Sequence, residues 1–131
     1  MTARESTARL GGRTRLPVME VQVFGSKKSS ETRAALRFFA ERRIKTHFVD
    51  FAVRSPAVGE LTRFVHRFGV AGIVDPSSRR YRELGWGSAR YPDSRWIEKL
   101  AEEPMVLRMP LVRYQQHLTV GAAVAVWETW E

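Results

Sequence analysis

The spacing of hydrophobic and polar residues predicts a strand, a helix and a second strand early in the chain. Residues 20–25 (EVQVFG) alternate weakly and stop at a glycine, as strands commonly do. A helical period follows as far as Arg43, and either Ser29 or Ser30 can cap its N-terminus. Residues 44–51 (IKTHFVDF) alternate again and form the second strand. Two strands joined by one helix and short connections make a right-handed parallel β-α-β unit.

The middle of the chain predicts three further helices. Residues 55–69 (SPAVGELTRFVHRFG) place hydrophobic side chains at helical spacing and end at a glycine. Residues 75–85 (DPSSRRYRELG) begin as a turn and become a short helix. Residues 92–104 (PDSRWIEKLAEEP) form the third helix, which Asp93 or Ser94 can cap.

The C-terminal part predicts a hairpin and a closing helix. Residues 105–113 (MVLRMPLVR) and 117–121 (HLTVG) are the strands, antiparallel because the connection is so short, and residues 122–131 (AAVAVWETWE) are the helix. The order is therefore β-α-β, a helical insert and β-β-α, the topology of the thioredoxin fold. We expect an α/β domain with a mixed four-stranded sheet.

Composition separates this domain from a basic tail. Residues 1–18 carry four arginines and one glutamate without an apolar segment, so they are not a secretory signal. We predict a disordered tail over 1–18 and a domain over 19–131, with Met19 as an alternative start. No apolar run approaches the ~18 residues of a membrane span, so no membrane association is expected.

The chain contains no cysteine, which excludes disulfides, thiolate metal sites and thiol redox cycling by this chain alone. That composition fits a reducing compartment, and we expect a cytoplasmic protein. The net charge of +8 favours an acidic partner, such as nucleic acid, a phosphate ligand or an acidic protein face. Because the charges are dispersed, a solvated basic surface is the simpler interpretation.

Four stretches in this order resemble one known family. They are residues 23–44 (VFGSKKSSETRAALRFFAERRI), 81–85 (YRELG), 103–113 (EPMVLRMPLVR) and 118–121 (LTVG). From about Glu20 to Trp130, the chain is similar to the ArsC/Spx family of thioredoxin-fold proteins. This family includes glutaredoxin-coupled arsenate reductases and Spx-type regulators that bind RNA polymerase.

The resemblance implies that the family's thiols are missing here. Ser29 falls where the nucleophilic cysteine lies, and Thr32 falls on the second cysteine of the Spx-type Cys-X-X-Cys motif. A serine beside Lys27 and Lys28 at a helix N-terminus is still a far weaker acid than cysteine and forms no mixed disulfide. An introduced Ser29 in place of cysteine is an alternative, but the family's arginines are also largely missing.

The resemblance also places the residues around the thioredoxin-fold proline. Pro110 matches the proline that is cis in this fold, Met109 stands where arsenate reductases carry an arginine, and Arg108 is one residue earlier. Two further family arginines fall near Asp75 and His117. We therefore expect a weakened oxyanion site.

The loop before the first helix is expected to bind an anion or, more simply, to cap the helix. Free N–H groups at a helix N-terminus attract anions, and hydroxyls and lysines can assist. The expected ligand-binding residues are Lys27, Lys28, Ser29, Ser30, Arg108, Met109 and Pro110. Glutathione is the candidate ligand, and no cofactor or metal is expected. The loop lacks the Gly-Lys-Ser/Thr ending of a P-loop.

Two alternatives to a ligand site use other residues. A serine hydrolase would need a base for Ser29 from His47, His66 or His117, and no nucleophile motif accompanies any of them. Partner binding would use exposed arginines and a loop tryptophan, because tryptophan is enriched in interface hot spots. The expected partner-binding residues are Arg33, Arg37, Arg63, Arg67 and Trp86, whereas Phe38, Phe39, Phe64, Phe68, Trp96 and Trp127 are expected in the core.

We therefore predict a redox-inactive ArsC/Spx-like protein that binds a macromolecule, with the RNA polymerase α-subunit as the partner that the resemblance suggests. The alternative is an arsenate reductase-like or glutathione-linked protein that binds a small molecule or anion. Direct nucleic-acid binding ranks third, because no basic stripe with interleaved exposed aromatics is evident.

Overall fold

The computed structural model describes residues 19–130; the predicted tail and Glu131 lie outside the described residues. Its four strands are β1 (Glu20–Gly25), β2 (Lys45–Asp50), β3 (Leu111–Tyr114) and β4 (His117–Val120). They form one sheet in the order β2-β1-β3-β4. β1 is parallel to β2 and antiparallel to β3, and β3 is antiparallel to β4. The predicted mixed four-stranded sheet is confirmed.

Five helices flank the sheet in the described part of the chain. They are α1 (Ser30–Glu41), α2 (Val58–Ile73), α3 (Arg79–Leu84), α4 (Asp93–Glu102) and α5 (Val124–Trp127). Short 3-10 turns cover Trp86–Ser88 and Pro104–Val106. The prediction of β-α-β, a helical insert and β-β-α is therefore confirmed. Within residues 19–130, no helix is long and apolar enough to cross a membrane.

The sheet separates two hydrophobic clusters because successive strand residues point to opposite faces. On one face, Phe24, Val49 and Leu111 pack with side chains of α2 and α4. On the other face, Val21, Val23 and Val112 pack with side chains of α1 and α5. α1 and α2 therefore lie on opposite faces of the sheet.

Several helix ends differ from the sequence prediction. Gly69 interrupts the helical geometry of α2 with a φ of 75°, but the chain resumes helical structure as far as Ile73. The predicted side-chain cap of α4 by Asp93 or Ser94 is wrong, since Pro92 occupies the N-cap and makes no side-chain cap bond. The carbonyl of Pro92 instead accepts hydrogen bonds from the amides of Arg95 and Trp96, each at 3.0 Å.

Two aromatic residues also differ from expectation. Trp86, expected to be exposed, is only 8% exposed, because the 3-10 turn that begins with it directs the ring into the α2/α4 cluster and against Trp96. The prediction of Trp86 as an exposed partner anchor is therefore wrong. Phe68, expected in the core, is 36% exposed, directly before the break at Gly69.

Candidate functional site

The loop between β1 and α1 is held in place by its own hydrogen bonds. The amide of Ser29 donates to the carbonyl of Ser26 at 2.9 Å, and the amide of Lys28 donates to the Ser26 hydroxyl at 3.2 Å. Arg33, one turn into α1, donates from Nη1 to the carbonyl of Lys27 at 2.5 Å. The loop is thus a closed turn anchored to the helix that follows it.

Ser29, one of the two serines predicted as candidates, is the N-cap of α1. Its backbone is extended, and its hydroxyl accepts a hydrogen bond from the amide of Thr32 at 3.1 Å. Thr32 itself is fully buried, and its own hydroxyl has no hydrogen-bond partner among the described residues. A Cβ on Gly25 would lie only 2.5 Å from that hydroxyl oxygen, so the end of β1 passes against Thr32 at a distance that only glycine allows. The Thr32 position is therefore buried below the loop and does not face solvent.

An open cleft of about 590 Å³ lies beside this helix start. One wall comes from the loop, with Lys28, Ser29 and Ser30 among its residues. Arg108 and Met109, from the segment before β3, also line the cleft. These five of the seven expected ligand-binding residues therefore meet in one place.

The remaining two expected residues stand apart from the cleft lining. The Lys27 side chain is exposed outside it. Pro110 is buried, follows Met109 through a cis peptide bond as the resemblance implied, and accepts a hydrogen bond from the amide of Gly121 at 2.8 Å. Pro110 therefore shapes the cleft through its backbone.

The cleft carries charges of both signs. Lys28 and Arg108 are positive, whereas Glu31 and Asp75 are negative, and all four line the cleft. The hydroxyl of Ser77 donates to Asp75 Oδ1 at 2.6 Å and lowers the pKa of that carboxyl, with further help from the Ser77 amide and the charges of Arg108 and Arg82. Asp75 is therefore ionised at neutral pH and offsets part of the attraction that the cleft offers to an anion.

Comparison with known proteins then identifies the family. The family model described as the ArsC family matches residues 24–129. The chain belongs to the ArsC family. An arsenate reductase of Neisseria meningitidis serogroup A is 27% identical to this ArsC-family chain over 105 residues, covering 78% of this chain and 90% of the relative. A putative arsenate reductase of Neisseria gonorrhoeae is 25% identical over 96 residues, covering 71% of this chain and 94% of the relative.

Solved structures show the same fold. An arsenate reductase from Vibrio cholerae superposes with a TM-score of 0.75 at 24% identity, covering 87% of this chain and all of that one (100%). A putative ArsC family related protein from Bacteroides fragilis gives a TM-score of 0.73 at 22% identity, covering 86% and 98% of the two chains. The thioredoxin-like α/β fold expected from the sequence is confirmed.

No histidine of this ArsC-family chain can serve as a base for Ser29. His47 Nε2 lies 2.6 Å from Glu20 Oε1, at the opposite end of β1 from the loop. His66 is exposed on α2, and the ring of His117 stacks on Tyr114. None of the three lines the cleft, so the serine-hydrolase alternative is wrong.

The part of the chain that the structure describes also holds no group of side chains suited to a metal ion.

The four arginines expected to bind a partner are all exposed, but they fall into two separate pairs. Arg33 and Arg37 lie on α1, and Arg63 and Arg67 lie on α2, across the sheet. Sequence reasoning missed Arg113 on β3, which lines the same concave region as Arg63 and Arg67. Strand alternation carries the signal for it, because Arg113 shares a sheet face with Leu111, which α2 covers.

Proposed function

We propose that this ArsC-family chain performs no thiol-dependent reduction and acts by binding a partner protein without covalent chemistry. The observation that carries the proposal is Ser29, which lies in the cleft with its hydroxyl used as a helix cap and with no cysteine anywhere in the sequence. A serine hydroxyl is too weak an acid to supply the nucleophile of a thiol reductase and cannot enter a mixed disulfide. The intact fold without its thiol favours a binding role.

The RNA polymerase α-subunit is the partner that we propose to test first. The reason is the resemblance of the chain to Spx-type regulators, which is an analogy at the level of family, since a fold does not fix a function. The two exposed arginine pairs support it, because arginine is enriched at protein interfaces relative to the rest of the surface.

A binding assay with purified components tests this proposal. The chain is immobilised and exposed to purified RNA polymerase α-subunit at raised salt, which screens non-specific charge attraction. An unrelated basic protein of equal net charge is the control. We expect saturable binding to this chain alone. Equal retention by the control, or no binding, contradicts the choice of partner.

A second candidate function is the binding of a small anion or of glutathione in the cleft. Lys28 and Arg108 favour it, because both positive side chains line the cleft together with the first residues of α1. The opposing charges of Glu31 and Asp75 make us expect weak binding. The test is a titration with glutathione, phosphate and arsenate in which the amide resonances of residues around Ser29 are monitored by NMR. Resonances that do not shift with any of the three ligands exclude this function.

A further inference from the structure

One end of the sheet is left uncovered on the α2 face. α2 packs over Phe24, Val49 and Leu111, all towards the end of the sheet that carries the cleft. Beyond them, Gln22 pairs in register with both His47 and Arg113, and these three side chains are exposed or half-buried. The polar end of this face therefore remains open to solvent.

Two adjoining concave regions occupy this open end, with volumes of about 660 and 410 Å³. Both are lined by Arg113 and Gln115, so they meet at the turn between β3 and β4. Arg63 and Arg67 of α2 line the second region. We call the surface formed by Arg63, Arg67, Arg113 and Gln115 the arginine groove.

No acidic side chain among the described residues forms an ion pair with an arginine of the groove, although the charge of Glu60, three residues before Arg63 on α2, acts on that guanidinium. Arg113 donates from Nη1 to Gln22 Oε1 at 3.3 Å and from Nε to the carbonyl of Gln115 at 2.9 Å, so both acceptors are neutral. These bonds fix the guanidinium in place without cancelling its charge. Arg63 and Arg67 are exposed, and between residues 19 and 130 neither forms an ion pair.

The nearby acids are engaged elsewhere. Glu60 binds Arg54 at 3.2 Å and the amide of Ala57 at 2.8 Å, and Glu20 binds His47 at 2.6 Å. The groove is therefore flanked by two acidic side chains that already have partners, while its three arginines have no ion-pair partner within residues 19–130. The groove is therefore suited to a negatively charged ligand.

We propose that the arginine groove binds an acidic peptide segment of a partner protein. Arginine is suited to this because its planar guanidinium can accept a carboxylate in two parallel hydrogen bonds. Gln115 and Gln116 supply amide groups that match a peptide backbone, and Leu118 adds apolar surface. A nucleic acid fits less well, because neither concave region is lined by an exposed phenylalanine, tyrosine or tryptophan on which a base could stack.

This inference rests on the proposed function in one respect, that the partner is a protein, and it names a surface remote from the cleft. The variant Arg63→Glu/Arg67→Glu reverses two charges of the groove. The control, Arg37→Glu/Arg43→Glu, reverses two exposed charges across the sheet, on α1 and just after it, and leaves Arg33, which holds the loop beside the cleft, unchanged. Circular dichroism confirms that each variant is folded.

The test measures fluorescence anisotropy of a fluorescein-labelled peptide of glutamate and glycine, titrated with the full chain. We expect the groove variant to bind about tenfold more weakly than the unmodified chain and the control variant to change by less than about twofold. Arg113→Gln, which removes one charge with little change in size, is expected to weaken binding by a smaller factor in the same direction.

Three results would overturn the inference. The first is an equal loss of affinity in both double variants, which indicates non-specific attraction to net charge. The second is tighter binding of a single-stranded oligodeoxynucleotide of the same charge, lost in the groove variant, which assigns the groove to nucleic acid. The third is no binding of the peptide at all. If the α-subunit still binds in the assay described above while the peptide does not, the proposed function stands and only the groove is refuted.

Discussion

Removing the Ser29 hydroxyl tests whether this residue is a helix cap. Ser29→Ala deletes the acceptor of the Thr32 amide, which is bonded at 3.1 Å, and the buried position of Thr32 hinders replacement by water. The two backbone bonds of Ser29, to Ser26 and from Arg33, do not use the side chain and survive. One cap bond is therefore lost, and we expect the free energy of unfolding to fall by about 1 kcal/mol.

Urea denaturation measures this change from the midpoint and slope of the transition. Thermal unfolding should show a decrease in melting temperature of about 4 °C for a domain of this size. Ser29→Asp should restore the stability, because aspartate caps helices as well as serine does. Ser30→Ala is the matched control, since that hydroxyl is exposed and bonds only the neighbouring Glu31 within the described residues. A Ser29→Ala variant as stable as Ser30→Ala would refute the cap.

Three further predictions concern single side chains. Ser29→Cys should give a thiol whose pKa lies below the ordinary value of about 8.5, because the helix N-terminus and Lys28 stabilise a thiolate. The ultraviolet absorbance of the thiolate, followed against pH, measures this pKa. A pKa at the ordinary value would contradict a stabilising positive potential at the start of α1. Thr32→Val should raise the free energy of unfolding by about 1 kcal/mol in urea, because it removes a buried hydroxyl that has no partner among the described residues; a loss of stability would show that the hydroxyl is satisfied. Glu103→Gln should lower stability by less than about 1 kcal/mol above pH 4.5, the ordinary pKa of a glutamate carboxyl, because the Arg80 hydrogen bond lowers the pKa of Glu103 in the folded state. That difference should vanish as the pH falls through the lowered pKa, and urea midpoints that differ equally at every pH would contradict it.

Most of the sheet could be predicted because its signals are local, but the predicted third strand, residues 105–113, began too early, since a 3-10 turn covers Pro104–Val106 and β3 begins at Leu111. β1 lies over the predicted residues and ends at Gly25, and the sequence limited the cap of α1 to two adjacent serines, of which the structure uses Ser29. Gly85 ends α3 in the left-handed conformation, as a glycine after a helix commonly does. The family resemblance then supplied the cis peptide bond at Pro110, which no local pattern fixes.

The sequence predictions failed at side chains whose burial depends on contacts between elements far apart in the chain. Trp86 lies between glycines and looks like an exposed loop residue, but the space between α2 and α4 accommodates its ring. Phe68 keeps the helical period of its neighbours, yet the break at Gly69 follows it and leaves it over a third exposed. Arg113 was missed because the position of a strand arginine relative to other arginines is known only once the neighbouring strands and the covering helix are known. Predicting the complete lining of the cleft likewise requires the tertiary structure, since its residues come from segments far apart in the chain.

The central claim is that this ArsC-family chain carries out no thiol-dependent reduction. The most direct test is an arsenate reduction assay on the unmodified chain with glutathione and glutaredoxin supplied, compared with the same mixture lacking the chain. The account predicts identical rates, because no residue of the chain can supply a thiolate. A rate that rises in proportion to the concentration of the chain would contradict it.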